Sequence, residues 1–153
     1  MSSSTNQKVA EIQVSYRPAV ANKPKITSGI DAFNALIPFY PEDTIALQER
    51  FLVMYLNRHN RVLGVYPVSV GGITCTTVDV RLVLSVALKT AATGIILSHN
   101  HPSGNTQPSE ADKMITRKIG NACAFHDLKL LDHIIVAAED NGNFFSFASE
   151  GLI

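Results

Sequence analysis

Residues 94–112 read GIILSHNHPSGNTQPSEAD, and their reading decides the fold. A glycine followed by a short apolar run suits a buried strand over 94–100. Pro102, Ser103 and Gly104 break that strand, and Gly104 supplies the positive φ of a turn. Pro108-Ser109 then opens a helix whose inward stripe is Ala111, Ile115, Ile119, Ala122 and Cys123. His99 and His101 are two apart at the strand end, so both imidazoles leave the same face. Asp112 follows His101 by eleven residues, on the first turn of the next helix. A loop of that length can fold the helix start back over the strand end.

The flanks extend this unit in both directions. Upstream, SGIDAFNALIPFY reads as a short helix with Ser28 as N-cap and Asp31 three residues on. Residues 49–57 and 61–70 read as two strands joined over RHN. Gly71-Gly72 ends the hairpin and lacks the spacing of a phosphate loop. A helix follows in TVDVRLVLSVALKTAA, with Leu82, Val83, Val86, Ala87 and Thr90 on its inner face. Downstream, residues 130–138 form a strand, Asn141-Gly142 signals a hairpin, and NFFSFAS returns. The sum is an α/β domain over residues 26–153: a mixed sheet of roughly five or six strands with helices packed on it. Residues 1–25 form an N-terminal arm with Lys8, Arg17, Lys23 and Lys25 against Glu11. Within it Ile12, Val14 and Tyr16 alternate, so the arm is either an edge strand or a solvated leader.

Composition sets the outer limits. The chain has 153 residues, 46% apolar and 17% charged, with no tryptophan, which suits one globular domain. Formal net charge is zero, which argues only weakly against strong non-specific DNA binding, since a local basic patch is compatible with it. No run has the length of a membrane span, and the polar start MSSSTNQKVA has no signal-peptide core. Cys75 and Cys123 stand apart from any CxxC and suit a reducing, cytoplasmic setting as small buried hydrophobes.

Two imidazoles and a carboxylate make three donors and leave one position open, the form of a catalytic zinc site. Glu49, opening an apolar strand, is the candidate base, and the Ser109 hydroxyl could face a substrate carbonyl. Plainer accounts stand beside these. Ser109-x-x-Asp112 is also a capping pair, and Ser28-x-x-Asp31 has the same form with no histidine near. Glu49 could be a solvated strand-entry residue. His133 after Asp132 reads as a structural pair bonded to backbone, or as an orienting group behind a ligand. Asn100, pointing away from its histidine neighbours, should pack on or bond to an adjacent loop.

The segments HNHPSG and PSEAD resemble the RadC-like branch of the JAB/MPN metallohydrolases. The JAMM motif of that superfamily runs Glu, then HxH, seven residues, Ser, two residues, Asp. His99, His101, Ser109 and Asp112 match it in order, and Glu49 falls at the upstream glutamate. LNRHNRVLG, SVGGIT, VDVRLVLSVAL, LLDHIIVA and the closing EGLI also resemble RadC. The resemblance implies one Zn2+ per chain held by His99, His101 and Asp112. Glu49 would be the general base acting through the bound water, and Ser109 would stabilise the tetrahedral intermediate. It implies a metallopeptidase or isopeptidase acting on a peptide or protein, with ubiquitin-like conjugates among the superfamily's substrates. The alternatives are a metal-dependent nuclease, in keeping with the DNA-repair label of RadC proteins, and a non-catalytic interaction module on a metal-stabilised fold. Two features depart from the family. The first 25 residues do not read as the helix–hairpin–helix module that RadC proteins often carry, and Cys75 and Val80 stand where relatives commonly have Gly and Pro.

Overall fold

A computed structural model describes residues 9–71, 77–138 and 142–153. Its centre is a mixed sheet of five strands in the order β2-β1-β3-β4-β5. The strands are β1 (Arg50–Leu56), β2 (Val62–Val70), β3 (Gly94–His101), β4 (Lys129–Ala137) and β5 (Phe144–Ser146). β1 pairs antiparallel with both β2 and β3, β3 and β4 run parallel, and β5 returns antiparallel on β4. The helices are α1 (Gly29–Leu36), α2 (Val80–Lys89) and α3 (Glu110–Ala124), with a 3-10 turn at Ile37–Phe39.

The near-continuous apolar runs of β1 and β3 follow from a sheet covered on both faces. Leu52, Met54 and Leu56 alternate toward the α1 side with Ala32, Phe33 and Leu36. Phe51, Val53 and Tyr55 face the other way, into a second core with Val83 and Ala87 of α2 and Ile119 and Cys123 of α3. β3 divides in the same way. Ile95 and Leu97 join the α2–α3 side, whereas Ile96 joins the α1 side. By the same alternation His99 and His101 emerge toward α3, and Ser98 and Asn100 toward α1.

Two expected helix faces need correction. On α2, Val83 and Ala87 are buried, with Val80, Leu84 and Val86 packed beside them, whereas Leu82 is 37% exposed. Leu82 sits one residue, about 100° of helical turn, off the 80/83/84/87 stripe. On α3, Ala111 is exposed and the buried positions are Thr116, Ile119 and Cys123. A polar residue thus occupies part of the inward face. Val80 begins α2 just after its N-cap Asp79, a position that proline also favours, so the departure from the family residue leaves the helix start intact. Cys75, Gly72 and Asn141 lie outside the described residues.

The end of the arm is fastened to the β1–β2 turn. Ile26 N–H donates to Asn60 C=O, Val62 N–H donates to Pro24 C=O, and the backbones of Lys25 and Arg61 form an isolated antiparallel β-bridge. Further out, the Tyr16 hydroxyl donates to Leu63 C=O at 2.7 Å. Ile12 and Val14 are exposed and, among the described residues, pair with no strand. Among the described residues no helix is long and apolar enough to cross a membrane.

Candidate metal centre

The site forms where the C-terminal end of β3 meets the N-terminus of α3. The His99 and His101 rings meet there with Nε2 atoms 2.8 Å apart. Asp112 presents Oδ1 to His99 Nε2 at 3.2 Å and Oδ2 to His101 Nε2 at 3.3 Å. The donor atoms of the three residues all lie within 4.8 Å of one another, and among the described residues no other His, Cys, Asp or Glu joins them.

Asp112 is also a helix cap. Its backbone N–H donates to Ser109 Oγ at 3.1 Å, and its Oδ2 accepts from Ser109 N–H at 2.7 Å, completing a capping box. The cap therefore leaves the carboxylate free to face the two histidines as well. The cap fixes the carboxylate's direction and the helix start carries it over the strand end. The partial positive charge of the helix start also favours an anion there.

The donor set suits a cation. His101 Nδ1 lies 2.6 Å from Asn105 C=O, an oxygen that only accepts, so Nδ1 carries a proton. In the neutral ring Nε2 then holds a lone pair, aimed at a second imidazole nitrogen and at a carboxylate. Such a cluster needs positive charge at its centre, supplied by an ion or by a proton. The electrostatics agree. Burial works to raise the Asp112 pKa, but the His101 and His99 rings beside it outweigh that and hold the carboxyl far below its usual range. Burial works against charging His101, yet the Asp112 hydrogen bond and the Asn105 carbonyl bring its pKa above the ordinary value.

Glu49 and Ser109 line the same open cavity of about 780 Å³, together with His101 and Asp112. Glu49 lies two residues before Phe51, whose Cα is in register with His99. Its carboxyl is half-buried, and burial, together with the Asp112 charge, raises its pKa against the opposing pull of His99 and His101. Asn100 sets the position of that segment from the opposite face of β3. Its Oδ1 accepts from Arg50 N–H at 2.7 Å, and its Nδ2 donates to Ile45 C=O and Gln48 C=O at 2.7 and 2.8 Å. The asparagine between the histidines thus clamps the chain on both sides of Glu49, which sharpens the expectation of a bond to a neighbouring loop.

Behind the histidines the Asp132-His133 pair splits into two jobs. Asp132 is the structural member. Its carboxylate accepts from His133 N–H, Ser146 Oγ–H and Ala148 N–H. The His133 ring does not bond to backbone. Its Nε2 is 2.8 Å from His99 Nδ1, and its Nδ1 is 2.7 Å from Thr116 Oγ1. Burial and then the neighbouring His99 hold its pKa well below the usual value. Phe147 stacks on its ring at 4.7 Å, and Phe51 stacks on His99 at 5.9 Å. Thr116 was not singled out by sequence reasoning, although it lies one helical turn beyond Asp112 on the same face.

A mixed sheet with HxH at a strand end and Ser-x-x-Asp at the start of the next helix defines a JAB-type domain. The family model for the RadC-like JAB domain matches residues 26–152, and the chain belongs to that family. A UPF0758 protein of Flavobacterium johnsoniae is 46% identical over 128 residues, covering 84% of this chain and 53% of the relative. One from Porphyromonas gingivalis is 36% identical over 148 residues, covering 95% and 63%. One from Pasteurella multocida is 37% identical over 119 residues, covering 76% and 52%. The chain thus spans a little over half the length of these relatives.

Proposed function

We propose that this domain is a zinc-dependent hydrolase that cleaves amide or isopeptide bonds in a peptide or protein. One observation carries the reading: two imidazoles and a carboxylate converge beside an open cavity that also holds Glu49 and Ser109. His99, His101 and Asp112 would hold the ion. When bound, zinc supplies Lewis acidity, which lowers the pKa of water to about 7 and polarises a carbonyl. Glu49, its proton affinity raised by burial, takes a proton from the attacking water and delivers it to the leaving amine. Ser109 accepts in the cap through an Oγ lone pair, so its hydroxyl proton is left to donate to the carbonyl oxygen as charge develops there.

The cavity wall also bears on the substrate. Among the described residues lining it there is no Lys or Arg, and its acids are Glu49 and Asp112. Such a surface disfavours a phosphodiester backbone, whose binding relies on cations. Phe51, Val78 and Ile115 add apolar wall, which suits a peptide segment. The first test is elemental analysis of the purified chain, before and after chelation and zinc add-back. About one zinc per chain is expected. No uptake in either preparation overturns the reading. Glu49→Gln should keep the metal and lose turnover by about 10²–10⁴-fold on any peptide the wild type cleaves. Undiminished turnover removes Glu49 from the mechanism.

A further inference from the structure

The hydrogen bonds behind His99 have only one consistent direction, and it starts at a carbonyl. Asp112 C=O can only accept, and Thr116 Oγ1 lies 2.6 Å from it, so the single hydroxyl proton of Thr116 is committed there. Thr116 Oγ1 must then accept at its other contact, the 2.7 Å approach of His133 Nδ1. His133 therefore carries its proton on Nδ1. Its ring is fully buried, and its two nitrogens meet His99 and Thr116 rather than a carboxylate, so the ring is neutral and Nε2 holds a lone pair. That lone pair accepts from His99 Nδ1–H at 2.8 Å. His99 in turn is left with an unprotonated Nε2, the atom that faces Asp112 and His101.

We infer that Thr116 and His133 are positioning residues that lock His99 in the Nδ1–H tautomer, so that its Nε2 lone pair is always offered to the site. The inference rests on the metal-binding reading above and adds a device to it. The relay begins on the backbone of Asp112 itself. One chain of bonds thus ties the carboxylate's helix α3 through β4 to the histidine on β3, and the same contacts that set the tautomer set the spacing between two ligands. Phe147 stacked on His133 and Phe51 stacked on His99 restrict rotation of the two rings, which are tilted 58° to each other.

The test combines imidazole 15N NMR of the metal-free protein with zinc affinities of Thr116→Val and Thr116→Ser. The wild type should show His133 and His99 both protonated on Nδ1. Thr116→Val removes the acceptor, which should shift His133 toward the Nε2–H form and weaken zinc binding by about 10–100-fold. Thr116→Ser restores the hydroxyl and should recover both the spectrum and most of the affinity. A role confined to packing would lower the melting temperature of Thr116→Val without moving either tautomer. An Nε2–H signal from His133 in the wild type overturns the lock, and so does unchanged zinc affinity in Thr116→Val. If Thr116→Val fails to fold, the wild-type spectrum alone decides. Failure of the wild type to take up zinc is a different result and sinks the metal reading instead.

Discussion

Two helix starts in this chain carry the same pattern, Ser28-x-x-Asp31 at α1 and Ser109-x-x-Asp112 at α3. Both serines accept from the backbone N–H of the aspartate three residues on, at 3.4 Å and 3.1 Å. The aspartates then diverge. Asp31 turns its Oδ2 to Thr27, accepting from the backbone N–H at 2.8 Å and the hydroxyl at 2.6 Å. Asp112 closes a full capping box and also meets His99 and His101, with its side chain only 14% exposed. The local pattern solves a local problem in both places, the unpaired N–H groups of a helix start. The second job comes from what the sheet places opposite. α1 begins away from any histidine pair, whereas α3 begins over the end of β3.

The largest effect that separates the two caps is on the metal. Asp112→Asn keeps the size and much of the hydrogen bonding of the side chain but removes the charge that faces two imidazoles. Its zinc content should fall to background, while Asp31→Asn keeps about one ion per chain. Zinc at about a hundredfold over Kd stabilises a folded protein by about 2.7 kcal/mol, or a rise of about 5–10 °C in Tm for a domain of this size. The wild type and Asp31→Asn should show that rise, and Asp112→Asn should not. Equal zinc-dependent shifts in all three would make Asp112 a cap alone and collapse the contrast.

A middle-sized effect separates the serines by kind of readout. Losing an N-cap serine costs about 0.5–2 kcal/mol, so Ser28→Ala and Ser109→Ala should both lower Tm by a few degrees. The loss at Ser28 should be the smaller, since its bond is longer. Only Ser109→Ala should lower kcat, by about 10²-fold if its hydroxyl is an oxyanion donor. A turnover defect of similar size in Ser28→Ala would mean that both act through stability.

The contrast also marks how far the sequence is legible. The strands β1 and β3 and the start of α3 could be read because each rests on local chemistry: buried apolar runs, a proline break and a cap. The convergence of His99, His101 and Asp112 could be expected because strand alternation and a short loop constrain it. The inner face of α2 is not legible at Leu82, since several apolar residues crowd that helix and only tertiary packing selects 80, 83, 84, 86 and 87. Thr116 and the ring contacts of His133 could not be read, because a buried hydroxyl between two elements leaves no pattern except its spacing from Asp112. Asn100 lay between. Its direction followed from alternation, but the three backbone groups it holds around Glu49 belong to a loop whose path no local signal sets.

The smallest effect tests whether Asp31 is the plain version of the pair. The Thr27 hydroxyl and then the Thr27 N–H hold its carboxyl below the ordinary value of 3.8. A carboxyl with a depressed folded pKa stabilises the fold above its unfolded pKa, and that contribution is lost as pH falls through the folded value. The Tm difference between wild type and Asp31→Asn should therefore be at its full size from about pH 5 upward, shrink as the pH drops below 3.8, and vanish at lower pH. It should stay below the effect of losing either serine. Asp112→Asn should give no such simple curve. Asp112 faces the His99 and His101 nitrogens at 3.2 and 3.3 Å, so its substitution disturbs the donor set as well as the cap. A difference for Asp31→Asn that persists undiminished at pH 2 would mean that the ionised carboxylate is not what the cap uses. The comparison would then rest on Asp112 alone.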